Sequence, residues 1–228
     1  MLTKKKKLTK KEIKEDKLVE FYYKTQSYIV ENKNKVLMYV GAFAIVVVAV
    51  IFFLNYRSSR NEEAGKLLSR VMDLYEQGAY LEVIEGKQGT NLVGLKKIVE
   101  DYGSTENGET AKIYLANAYA FLGQYDKAFE LYEDYGGSND IYKAAALAGQ
   151  AGYYANKGDF EKAANLFKKA ANVSEINPSR PDYLLRSGIN FMKAGQKDEA
   201  KALFQIIKDD YKTSTAFAQV DRYFTELN

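Results

Sequence analysis

The sequence predicts an all-α protein in which one N-terminal transmembrane helix precedes a solenoid of about four helix pairs and a capping helix. Three observations lead there. Residues 36–56 carry no charged side chain. Further on, three segments align on Gly123, Gly158 and Gly195, which lie 35 and 37 residues apart. Only 2 Pro occur among 228 residues, as suits a chain built almost wholly of helices, because proline breaks a helix interior.

The membrane helix comes first along the chain. Val36 to Leu54 reads VLMYVGAFAIVVVAVIFFL, apolar on every side. As a helix the uncharged run spans roughly 30 Å, the thickness of the hydrocarbon core. A cleavable signal peptide has a shorter apolar core, about 7–15 residues, and ends in small residues. This run leaves through Phe52, Phe53, Leu54, Asn55, Tyr56 and Arg57, too bulky for that pattern, so it is expected to stay as an anchor. Eleven Lys precede it, against Arg57 and Arg60 just after. The positive-inside rule then puts residues 1–35 in the cytoplasm, 36–56 across the bilayer and 57–228 outside the cytoplasm. In a bacterium this is a single-pass inner-membrane protein with a periplasmic C-terminal domain.

Charge divides along the same line. The net charge of +3 splits into +6 for residues 1–35 and −3 for the remainder. The basic character belongs to a tail, which argues against a nucleic-acid-binding domain with its basic folded face. There is no Cys and no His. Disulfides, thiolate or imidazole metal sites and the commonest general base are therefore excluded, and no cofactor is expected.

Within the tail, residues 1–11 are Lys-dominated and are expected to be disordered alone. Leu18, Phe21, Tyr22, Tyr28 and Ile29 then recur at helical spacing between Lys and Glu. A juxtamembrane helix would bury that stripe in the inner leaflet while Lys meets anionic lipid. It serves either as a topology signal or as a docking helix for a membrane complex or for ribosomal RNA.

The repeats share a fixed order around each glycine. Four residues before it stand Tyr119, Tyr154 and Phe191, and seven before it Ala116, Ala151 and Gly188. Five after it come Ala128, Ala163 and Ala200, nine after it Tyr132, Phe167 and Phe204, and twelve after it Tyr135, Ala170 and Ile207. Glycine ends a first helix in a left-handed conformation. The small residues let a second helix approach, and the aromatics fill the space between. Stacked pairs then bury a continuous apolar face. A weaker unit comes first, with Leu74, Gly78, Tyr80 and Val83 in frame, after which GKQGTNLVG interrupts it before a helix around Leu95–Tyr102. Ser214 is a plausible N-cap for a closing helix with Phe217, Val220, Phe224 and Leu227 on one stripe.

The strings AYAFLGQYDKAFELY and YYANKGDFEKAANLFKKA resemble the tetratricopeptide repeat; NFMKAGQKDEAKALF departs by placing Lys197 where Tyr125 and Phe160 stand in the others. The predicted fold is thus a tetratricopeptide-repeat α-solenoid. The order of parts resembles the YfgM-like ancillary subunits of the Sec translocon. The stretch Glu15–Glu20, the aromatic helix Phe21–Tyr28 and ENKNK before the membrane carry that resemblance. The segment GKQGTNLVGLKKIVEDYGSTENGETAKIYLANAY is similar to anchored repeat proteins of Bacteroidetes-type bacteria. The resemblance implies contact with the translocation channel and with a membrane-anchored periplasmic chaperone of the prolyl-isomerase type, and help to exported chains still unfolded. The Lys-rich opening MLTKKKKLTKK is longer and more basic than that pattern.

Tetratricopeptide stacks bind partners along the groove of their first helices. The family pattern places Ile113, Asn117, Ala120 and Phe121 there, then Ala148, Gly152 and Asn156, then Leu185, Ile189, Met192 and Lys193. Repeats that grip a terminal carboxylate show several Lys and Arg, and here only Lys193 appears. Such a groove suits a partner helix or an unfolded segment, unless the protein's own last helix or first pair fills it. Two readings compete with the translocon. One is a scaffold for another envelope assembly, secretion or division complex, because Tyr102-Gly103-Ser104-Thr105 and Tyr211-Lys212-Thr213-Ser214 are similar to inter-repeat loops of envelope assembly lipoproteins. Those proteins carry a lipidated Cys, which this chain lacks. The other is an enzyme using Glu100, Asp101, Glu133 and Asp134. No phosphate loop, metal spacing or nucleophile–base pair accompanies these acids, so the expectation is a protein that is not an enzyme.

Overall fold

The computed structural model describes residues 10–87 and 89–227, with side chains from Lys17 onward. Most of the Lys-rich opening, residues 1–9, lies outside the described residues. Among the described residues the elements are eleven helices: α1 (Lys10–Glu31), α2 (Lys33–Glu76), α3 (Tyr80–Glu85), α4 (Leu95–Tyr102), α5 (Glu106–Phe121), α6 (Tyr125–Glu133), α7 (Asp140–Asn156), α8 (Phe160–Ala171), α9 (Arg180–Lys193), α10 (Lys197–Asp210) and α11 (Thr215–Leu227). The chain divides into two compact units, residues 1–56 and 57–228.

In the first unit, α1 and the opening of α2 are separated by Asn32 alone. Its amide donates to the Tyr28 carbonyl, and its own carbonyl accepts from Val36, both at 2.9 Å. The apolar arc of α1 is wider than the expected stripe. Val19, Tyr23 and Val30 are exposed beside Leu18, Phe21, Tyr22, Tyr28 and Ile29. The polar side is held by Lys24–Glu20 at 2.8 Å and by Ser27 donating to Glu31 at 3.1 Å. The apolar stretch of α2 is long enough to cross a membrane, and none of it is buried. Helix continues beyond residue 56 because nothing in YRSSRNEEAGKLL stops one, and a Lys66–Glu62 pair spans one turn there.

The second unit is built of helix pairs. Gly123, Gly158 and Gly195 have φ of 75°, 82° and 79°, which glycine adopts without steric cost. At each turn the residue after the glycine donates to the aromatic five positions earlier: Gln124 to Tyr119, Asp159 to Tyr154 and Gln196 to Phe191, at 2.9, 3.0 and 2.9 Å. Ala79 does the same to Leu74 at 3.0 Å, so Gly78 is the turn of a first pair made by residues 57–76 with α3 and α4. That pair's second helix is interrupted. The Gly86–Val93 bridge closes the insertion, and helix resumes at Leu95. Val83 and Leu95 stand twelve residues apart where the other pairs have four. Leu95 and Ile98 therefore fill the positions that Phe204 and Ile207 fill in the last pair, and all four are fully buried.

The pairs α5/α6, α7/α8 and α9/α10 follow, and α11 closes the stack. The Ser214 hydroxyl accepts from the Phe217 amide at 3.1 Å and donates to the Tyr211 carbonyl at 2.7 Å. Thr105 repeats this arrangement at the start of α5, accepting from Gly108 at 3.1 Å and donating to Tyr102 at 2.9 Å. The frame residues Ala128, Ala163, Ala200, Tyr132, Phe167, Phe204, Ala116 and Ala151 are all buried. The core falls into three clusters: residues 64–118 around α4, Ile113 to Ala146 around α6, and Ala164 to Val220 around α10. This is the all-α tetratricopeptide-type solenoid that the repeats predict.

Candidate functional site

The first helices of successive pairs, α2, α5 and α7, flank an open cavity of about 430 Å³. Gly65, Leu68, Ser69 and Met72 line it from α2, Glu106, Asn107, Thr110 and Tyr114 from α5, and Asn139 and Tyr142 from the start of α7. Its frame is held by hydrogen bonds. Asn107 donates from its amide to Asn61 Oδ1 and from its side chain to the Asn61 carbonyl, both at 2.8 Å. Asn139 caps α7 by accepting from Ile141 at 2.9 Å. Ser138 donates to Glu106 at 2.8 Å.

Five aromatic rings run along this face in contact. Tyr142 meets Tyr114 edge-on at 6.2 Å, and Tyr114 meets Tyr75 at 5.0 Å. Tyr75 meets Tyr80 at 5.6 Å, and Tyr80 stacks on Phe121 at 4.7 Å with the planes 5° apart. Below them Tyr132 donates to Asn117 Oδ1 at 2.6 Å. Burial raises the hydroxyl pKa of Tyr75 to about 12 against the lowering effect of its Asn117 hydrogen bond. Burial and the neighbouring Tyr114 likewise push Tyr142 up to about 12. Burial holds Tyr132 above the ordinary tyrosine range. These hydroxyls stay neutral at physiological pH. The face offers rings, methyl groups and hydrogen bonds, and no group activated as nucleophile or base.

The expected groove residues separate into two sets. Asn117, Gly152 and Ile189 stand six before the turn glycines, and Phe121, Asn156 and Lys193 two before. Phe121 is exposed at 65% and belongs to the ring series; a side chain added at Gly152 would meet nothing within 4 Å. Lys193 lies 5.2 Å over the Phe160 ring. Ile113 and Leu185, ten before their glycines, are only 2% exposed and belong to the core. This corrects their assignment to the groove. A helix turns about 100° per residue, which carries these positions from the open face into the interface within a pair. Ala120 packs against the α6 cluster with Ile113, while Ile189 and Met192 pack in the cluster sealed by α11. Ala148 is half-buried. Thr110 and Tyr114, thirteen and nine before Gly123, line the cavity in place of Ile113. Stepping back from Phe121 by four, three and four residues reaches them; two steps of four end on Ile113.

The remaining candidates, Val36 apart, are exposed. Leu18, Phe21, Tyr22, Tyr28 and Ile29 lie open on α1, Val36 is half-buried and Leu54 exposed on α2. Glu100, Asp101, Glu133 and Asp134 all face solvent. Asp101 pairs with Lys97 at 2.9 Å, and Asp134 with the buried Lys112 at 2.8 Å.

These features define a class: a stack of tetratricopeptide-type helix pairs, a fold that mediates protein–protein interaction, behind a helix long and apolar enough to cross a membrane. A tetratricopeptide-repeat family model matches residues 182–214, which cover most of α9, the Gly195 turn, α10 and the cap residue Ser214. No curated protein and no solved structure matches the chain.

Proposed function

We propose that this chain is a non-enzymatic, membrane-tethered scaffold and co-chaperone, an accessory subunit of the Sec translocon in a bacterial inner membrane. Residues 1–35 face the cytoplasm, residues 36–56 anchor the protein, and residues 57–228 present the repeats to the periplasm. There they act on exported, still unfolded chains beside a membrane-anchored prolyl-isomerase-type chaperone. The stripe on α1 docks at the inner leaflet. One observation supports the interaction reading above the others: Tyr114 and Tyr142, two rings of a series that runs on through Tyr75 and Tyr80 to Phe121, line an open cavity. Support for the translocon comes from the layout of tail, anchor and repeats. Photocrosslinkers placed at Phe121 and Gly152 in cells, followed by mass spectrometry, test it. Channel subunits and a periplasmic chaperone are expected in the adducts. Recovery of neither sinks the translocon reading, and capture of secretion or division components instead moves the scaffold to another envelope complex.

A further inference from the structure

We propose that the cavity between α2, α5 and α7 selects a segment of a partner protein that carries lysine or arginine beside an apolar side chain. This rests on the interaction reading above and adds the chemistry of the guest. The volume of about 430 Å³ lies in the range of ligand-binding clefts, about 300–1,000 Å³. Leu68, Met72 and the rings of Tyr114 and Tyr142 give it apolar walls, so an aliphatic or aromatic side chain is drawn in by burial.

Charge then decides the neighbour of that side chain. Glu106 is the one acidic side chain among the lining residues, which include no Lys or Arg. Its Oε1 accepts from Ser138, and a carboxylate has further acceptor sites. Asp73 and Glu76 are exposed one turn past Ser69 and Met72 and carry the acidic character along α2. Lys143, one turn past Asn139, is the base on the matching row of α7. On the lining itself the charge is therefore negative. Tyrosine faces attract ammonium and guanidinium groups, and the stem of a Lys or Arg lies along apolar surface while its head stays hydrated. A guest ending in a carboxylate meets like charge.

The test uses the full chain in nanodiscs of neutral phosphatidylcholine, read by fluorescence anisotropy. The probes are a short labelled peptide alternating leucine with lysine and its leucine–glutamate counterpart. The lysine peptide is expected to bind about tenfold more tightly, which corresponds to about 1.4 kcal/mol. Glu106→Gln should weaken it about threefold to fivefold and raise its tolerance of salt. Thr110→Lys, which puts a cation on the cavity wall at a half-buried helix position, should weaken it about tenfold or more, with a thermal melt checking that the variant keeps its fold. Equal binding of the two peptides, binding of neither, or indifference to both substitutions overturns the proposal. Equal binding that Tyr142→Ala weakens for both peptides overturns the charge preference and leaves the interaction reading standing. Crosslinking from Phe121 and Gly152 decides that reading separately.

Discussion

The two ends of the repeat domain use one frame in opposite ways. In the last pair the second-helix ring, Phe204, is fully buried and meets Tyr223 at 5.7 Å and Phe224 at 6.1 Å on α11. Ala216 and Val220 of α11 seal the same cluster. In the α5/α6 pair the equivalent ring is Tyr132, whose hydroxyl reaches Asn117 beside the tyrosines of the open face. The last pair packs its aromatics into a closed core, while in the first two the half-buried Tyr75, Tyr80 and Tyr114 lie at the surface. The difference teaches that stability and binding capacity are distributed unequally along one repeated architecture.

Alkaline pH should break the molecule at the tyrosine end first, and this is the largest effect expected. Burial raises Tyr75, Tyr142 and Tyr135 to about 12 from an ordinary 10, with Glu106 and Glu109 adding to the effect at Tyr135. Tyr132 is raised as well. For Lys112 burial acts downward, but hydrogen bonds to Asp134 and Glu109 outweigh it and raise the ammonium. A folded-state pKa above the unfolded one gives stability that is full below the unfolded value and lost as pH rises through the folded one. The loss therefore runs from about pH 10 to pH 12 for these tyrosines. The last pair contributes Tyr183 with the same sign, raised chiefly by burial. Pulse proteolysis with fragment mapping across this range should release peptides from residues 57–142 before those from 180–227. The reverse order would remove the comparison's energetic basis.

Phe204→Ala tests the other end. Removing a fully buried aromatic typically costs about 3–5 kcal/mol, measured here as a shift in urea midpoint. The ring also fills the space left by Gly188, where an added side chain would collide with it. Proteolysis should then cut first in α11, which loses its contact with Phe204. The crosslinking yield at Phe121 should be retained under folding conditions. A parallel loss at Phe121 would mean that the two ends fold as one tightly coupled unit.

Much of this division was legible in the sequence. The glycines, alanines and rings of the frame announce themselves because each answers one steric demand, and Ser214 does so because a cap needs a hydroxyl. The bounds of α4, Leu95–Tyr102, also followed from pattern. Two things were not legible. The eight extra residues between Val83 and Leu95 hide the fact that the first pair re-enters the frame, so Met72, Tyr75 and Tyr80 could not be placed on the open face. Along α5, steps of three and four are both helical, and Ile113 and Tyr114 are both apolar. Only packing against α6 shows which of the two turns inward. The tail stripe extends past its expected residues for a similar reason, since Val19, Tyr23 and Val30 continue the apolar arc where no core forces a choice.

The smallest predicted effect bears most directly on the comparison. Tyr132→Phe keeps the buried ring and deletes the hydroxyl that donates to Asn117 at 2.6 Å. A neutral hydrogen bond contributes about 0.5–1.5 kcal/mol net, so a loss near 1 kcal/mol is expected. Asn117 also bonds Tyr75, which limits the damage because its side chain keeps one partner. The phenylalanine makes the position resemble Phe167 and Phe204. If polar anchoring of Tyr75 is what holds the adjoining Tyr114 ring at the cavity, the variant should lose affinity for the leucine–lysine peptide beyond its small loss of stability. Calorimetric melting and anisotropy on the same preparation separate the two. Unchanged affinity with a 1 kcal/mol loss would make Tyr132 a core residue like its two counterparts, and the contrast between the ends would then rest on the first-helix tyrosines alone.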